Sequence, residues 1–164
     1  MEENFPEDTE ENIIQVVLAM INAVQLLYND DSLDVDIQFL IKRLEILQTD
    51  PPKLERSYNI DRYLASFCKV SKLVALTQHN NSVAIIQWQA AENVFPESDQ
   101  LHWDHAVILT GLDVHVVDRD DKISSQVVGL APVSGMCQTD SSCTVNEGRH
   151  FESVYVMAHE IGHK

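Results

Sequence analysis

The sequence predicts an α/β sandwich, and three observations carry that expectation. A four-turn apolar run follows an acidic opening. Short stretches of strand character fill the middle. A final helical stretch, "HFESVYVMAHEIGH", closes the chain. Helix, strand, helix, strands, helix is the order of a sheet covered by helices. The 164 residues suffice for one domain with one core, and no internal repeat or low-complexity tract interrupts them.

Each element has its own signal. Thr9, Glu10, Glu11 and Asn12 lead into "IIQVVLAMINAVQLLY", and an acidic first turn favours a helix start. That run is apolar on several faces, so the helix should be well buried. "NDDS" ends it. In "LDVDIQFLIKRLEIL" apolar residues alternate at Val35, Ile37, Phe39 and Ile41, the period of a strand. After the loop "QTDPPK", Asn59 or Ser57 can cap a second helix through "DRYLASFC". "HAVILTG" reads as a buried strand ending in glycine. "LDVHVVDRDDKISS" is irregular or hairpin-like. "QVVGLAPVSG" is extended, and its Pro132 assigns it to a sheet edge. "CTVNE" is a further short strand, and Gly148 and Arg149 precede the last helix.

Charge narrows the partners. Asp and Glu number 26 against 11 Lys and Arg, a net charge of -15. Such a chain is not expected to bind nucleic acid or anionic membrane surfaces. It is compatible with divalent cations, although a solvated acidic surface accounts for the same composition. Met1 opens no secretory signal, and no transmembrane helix is expected. The three cysteines are an odd number, which suits a reduced intracellular chain or a secreted one lacking a partner.

The chemistry lies at the end. His159 and His163 are four apart, so on a helix they share a face and can present two imidazoles to one ion. Zinc takes such nitrogens, and catalytic zinc keeps a position open for water. Glu160, between them, can take a proton from that water and relay it to a leaving amine. This is the H-E-x-x-H arrangement of metalloproteases. A helix with two solvent-facing histidines is the bland alternative.

The flanks add a resemblance. "HWDHAVILTG", "VVGLAPVSGMCQTDSSCTVNEG" and "HFESVYVMAHEIGH" resemble the catalytic domain of the ADAM-TS proteases, which are reprolysin-like metzincins. The likeness covers about residues 12–163 and is strongest from Leu101 onward. It implies a metzincin-like α/β/α sandwich with a mixed, mostly parallel sheet, cut at both ends. Residues 1–11 form an acidic lead and 12–164 a partial protease domain, in which 69–86 stand as an insertion between "SFC" and "WQ". Retained intron sequence and a natural loop both remain open for that insertion. Uniform presence of its codons in transcripts from all tissues would exclude the first.

The resemblance also implies roles. His159 and His163 bind zinc and Glu160 is the general base. Gly129, Leu130 and Ala131 form the edge that pairs with substrate backbone, with ordinary edge packing as the alternative. Cys68 pairs with Cys143, and Cys137 with a cysteine further along. Asp104 and Glu97 match acidic positions that hold structural calcium, the alternative being surface carboxylates. Asn80-Asn81-Ser82 is a glycosylation acceptor within the insertion. The family's third histidine, which extends the motif to H-E-x-x-H-x-x-G-x-x-H, and its Met-turn are expected beyond Lys164. His150, His105 and His115 have no spacing that recommends them in its place. The implied function is a secreted zinc metalloendopeptidase acting on extracellular matrix proteins, inactive as this fragment. The alternatives are a non-enzymatic truncated isoform and an intracellular acidic interaction domain.

Overall fold

A computed structural model describes residues 10–52, 54–68, 92–136, 138 and 141–163. The 69–86 segment, its glycosylation acceptor and Cys137 lie outside the described residues.

Among the described residues eight elements follow in order: α1 (Glu10–Tyr28), α2 (Ile60–Cys68), β1 (Ala106–Thr110), β2 (Val116–Val117), β3 (Ile123–Ser124), β4 (Gly129–Leu130), β5 (Cys143–Glu147) and α3 (Ser153–Gly162). The main sheet has the order β1-β5-β4. β1 pairs with β5 in parallel, Ile108 opposite Val145, and β4 pairs with β5 antiparallel, Gly129 opposite Asn146. The sheet is therefore mixed, and the fold is α/β. β2 and β3 form a separate antiparallel hairpin whose turn places Asp121 at a φ of 59°. Asp118 Oδ1 stabilises that turn by accepting from the backbone N–H groups of Asp120 and Lys122.

Alternation along the strands separates two cores. Ile108, Cys143 and Val145 pack against Tyr63, Leu64 and Phe67 of α2. On the other face Leu109 joins Val154, Met157 and Ile161 of α3, together with Met20 and Val24 of α1. The layers are thus α2, sheet, α3, with α1 behind α3. Asn59 caps α2: its Oδ1 accepts from Arg62 N at 3.0 Å, while Ser57 Oγ supports the cap by accepting from Asn59 N at 3.1 Å. β4 is at the sheet edge among the described strands, and Pro132 lies two residues beyond its end, outside the ladder.

Three expectations need correction. The 33–47 stretch forms no strand. Its alternation is met by a side chain instead: Gln25 Nε2 donates to Ile37 O at 2.8 Å, and Gln25 Oε1 accepts from Phe39 N at 2.7 Å. One amide stands in for a neighbouring strand, and Phe39 packs edge-on against Tyr28. Helix α1 is not well buried. Only Met20 and Val24 are buried, and Leu26 is 63% exposed, because α1 seats one stripe on α3 and leaves its other faces open. By length and composition α1 is also long and apolar enough to cross a membrane, where none was expected. Core helices pass the same test, and the stripe on α3 gives α1 a place in this fold.

The bridge between Cys68 and Cys143 joins the end of α2 to the start of β5, with Cα atoms 5.7 Å apart and a sequence separation of 75. Closing such a loop restricts the unfolded chain by about 4 kcal/mol in the entropy model. Replacing both cysteines by alanine is expected to lower the urea midpoint by an amount equivalent to roughly 2–4 kcal/mol. An unchanged midpoint would refute a stabilising role, and peptide mapping that joined Cys137 to Cys143 would refute the pairing.

Candidate metal centre and substrate groove

Helix α3 carries the motif in the register that one face requires. Val154, Met157 and Ile161 point into the core, and this fixes His159 and His163 on the flank beside β4. The two Nε2 atoms are 2.9 Å apart, with rings edge to face at 85°. Glu160 is buried, and its carboxylate and both histidines offer ligand atoms all within 4.8 Å of one another. A tetrahedral zinc with Zn–N bonds of about 2.0–2.1 Å spans roughly 3.3–3.4 Å between two nitrogens. The histidine pair fits such an ion once the rings part by about 0.4 Å.

Two contacts hold this turn of helix in place. Tyr28 of α1 donates its hydroxyl to Ala158 O at 2.8 Å, one residue before the first histidine. Burial raises the Tyr28 phenol above its ordinary pKa, which keeps that donor protonated. At the other end Ser134 N donates to His163 O at 2.8 Å, which ties the loop after β4 to the helix terminus.

β4 lies directly on α3. A Cβ at Gly129 would come 2.4 Å from Val156 Cγ1 and 2.9 Å from Glu160 Cγ, so only glycine allows this approach. Between strand and helix runs an open groove of about 360 Å³, lined by Gln126, Val127, Val128, Gly129, Tyr155, Val156, His159 and Glu160. The structure thus brings His159, Glu160 and Gly129 to one groove, with His163 behind. Leu130 ends β4 and Ala131 follows it, both half-buried. Tyr155 and Val156 were not singled out in the sequence, although they lie four and three residues before His159, on its side of the helix.

Other candidates lie apart. Glu97 and Asp104 are exposed on one loop, and the Asp104 carbonyl accepts from Ser142 Oγ. Among the described residues, His159, Glu160 and His163 form the sole group of three His, Cys, Asp or Glu close enough to hold one ion. His115 bridges to Asn59 by its backbone, His105 Nδ1 faces Ser142 Oγ, and His150 is exposed; none joins the pair.

An α/β sheet whose edge strand rests on a helix bearing H-E-x-x-H is an arrangement that zinc metallopeptidases use. The reprolysin-type model of metallo-peptidase family M12 matches residues 2–164. A disintegrin and metalloproteinase with thrombospondin motifs 6 of Homo sapiens is 34% identical over 152 residues, covering 93% of this chain and 12% of that protein. The similarly named protein 10 of Homo sapiens gives the same identity and coverage. A disintegrin and metalloproteinase with thrombospondin motifs adt-1 of Caenorhabditis elegans is 30% identical over 167 residues, 99% of this chain and 10% of that protein. The chain belongs to metallo-peptidase family M12, with a sequence of ADAM-TS type. It spans only about an eighth or less of the length of these relatives.

The contact at Gly129 yields a test. Gly129→Ala is expected to cost about 1–3 kcal/mol, since both Val156 and Glu160 must give way. A thermal melt reads this directly, and an unchanged midpoint would show that β4 does not rest on α3.

Proposed function

We propose that this chain supplies the metal-binding helix and the substrate-pairing strand of a secreted zinc metalloendopeptidase. The observation that carries this reading is the convergence of a ring nitrogen each of His159 and His163 and the Glu160 carboxylate within 4.8 Å, beside a sheet edge. Histidine nitrogens with an adjacent carboxylate are the donor set that zinc and hydrolytic chemistry need.

His159 and His163 hold the ion. Zinc, when bound, supplies Lewis acidity that polarises a carbonyl and acidifies water. An extended peptide lies along Gly129, Leu130 and Ala131, where β4 has β5 on one side and no described strand on the other. Backbone hydrogen bonds to that edge fix the scissile carbonyl over the helix, and a side chain of the peptide enters the groove against Tyr155 and Val156. Glu160 takes a proton from the attacking water and delivers it to the nitrogen of the leaving amine as the C–N bond breaks. Extracellular matrix proteins are the proposed substrates, and the bridge between Cys68 and Cys143 accords with an oxidising compartment. Calcium held near Asp104 and Glu97 is a further part of this reading.

Two histidines give zinc only two protein ligands, where catalytic sites use three. A polypeptide of these 164 residues is expected to bind zinc weakly and to cleave nothing. A version continued through a third histidine and Met-turn, with a first strand added and 69–86 removed, is expected to show chelator-sensitive proteolysis. Glu160→Ala in that version is expected to lower the rate by about 10²–10⁴ while zinc content by atomic absorption stays the same. Chelator-sensitive cleavage by the 164-residue polypeptide would overturn the ligand count, and full activity of Glu160→Ala would overturn the general base.

A further inference from the structure

Asn146 is wholly buried, yet its side-chain oxygen has no hydrogen-bond partner among the described residues. A buried polar atom left in this way is destabilising, so an amide kept at the centre of a sheet calls for a reason. Its placement supplies one. Cys143 and Val145 belong to the α2 core, so alternation turns Thr144 and Asn146 to the opposite face, towards α3. Asn146 also pairs with Gly129 across the ladder. Such partners point to the same side of a sheet, with Cβ positions about 4.5–5.5 Å apart. At Gly129 that side is occupied by Glu160, whose Oε1 lies 3.0 Å from where a Cβ would sit. Two independent relations, alternation and cross-strand pairing, thus put the Asn146 amide on the sheet floor beside the Glu160 carboxylate.

The amide as it stands donates from Nδ2 to Thr144 Oγ1 at 3.1 Å. The rotamer with the amide turned over satisfies more groups. Thr144 then donates its hydroxyl to Oδ1, and the NH2 group becomes a donor on the side where Glu160 lies. We propose that Asn146 is a positioning residue for Glu160, holding the carboxylate from beneath through Nδ2, directly or through one water. The inference rests on Glu160 being the general base. It explains why β5 carries an amide where a β-branched apolar residue would suit a buried strand better.

Structural and positioning roles predict different results for Asn146→Leu, tested in the version continued through a third histidine. Positioning predicts a melting temperature no lower than that of the parent, unchanged zinc content and KM within about twofold. It predicts a kcat reduced on the order of tenfold, since a misplaced catalytic group loses rate without losing binding. Thr144→Val, which removes the donor to Oδ1, should lower kcat by a smaller factor and serves if Asn146→Leu fails to fold. In a Glu160→Asp background the effect of Asn146→Leu should shrink to within about twofold. An unchanged kcat, a loss of equal size in both backgrounds, or a parallel fall of kcat, zinc content and melting temperature would each overturn the assignment. The side-chain NH2 signals of Asn146 in selectively ¹⁵N-labelled protein give a readout without cleavage. They should move on Glu160→Gln, and fixed signals would refute the contact. If the parent protein cleaves nothing, the peptidase reading falls, while the NH2 signals still decide this one.

Discussion

β5 is the strand on which the other layers depend. It is flanked by β1 on one edge and β4 on the other, and all of Cys143, Thr144, Val145 and Asn146 are buried. Its odd-numbered residues anchor the α2 core and its even-numbered ones face α3. A period of two therefore does the sorting. A slip of one residue would exchange the two faces, bringing Asn146 into an apolar core and Val145 under the helix of the motif. The register of one five-residue strand fixes where the edge strand lies over Glu160, and with it the groove.

The parts that were legible in the sequence were those with a local cause. The strands "AVILT" and "CTVNE" are apolar runs with clear punctuation, Pro132 can serve only at an edge, and Asn59 needs only its own oxygen to cap α2. The histidine pair was legible because four residues make one helical turn. The misreadings have non-local causes. Alternation at Ile37 and Phe39 marks a chain that is extended and half-buried, and does not say what satisfies its backbone; here it is Gln25, at 12 and 14 residues' separation. Apolar residues all around α1 suggested full burial, but burial depends on what is available to pack against, and only the Met20 and Val24 stripe finds α3.

The site was legible as a list of side chains but not as a shape. Gly129 came to notice as part of an edge strand. Its missing side chain matters more, because that absence lets β4 descend onto Val156 and Glu160. A close approach of this kind leaves no periodic trace in sequence. Asn146 was hidden for a related reason: within "CTVNE" it reads as an ordinary strand residue, and only the pairing with Gly129 reveals which neighbour it has.

The covalent bridge lies wholly on one side of the sheet. It binds α2 to β5, whereas α3 and α1 are held to the other face by apolar packing, the Tyr28 hydroxyl and the Ser134 amide. The two halves of the sandwich thus differ in what it takes to loosen them. Cooperative units of a protein open at different free energies, and the α3 side, which carries no cross-link among the described residues, is expected to loosen before the α2 side. The helix that bears the H-E-x-x-H motif is on that side, so among the described residues a stapled layer backs one held by non-covalent contacts.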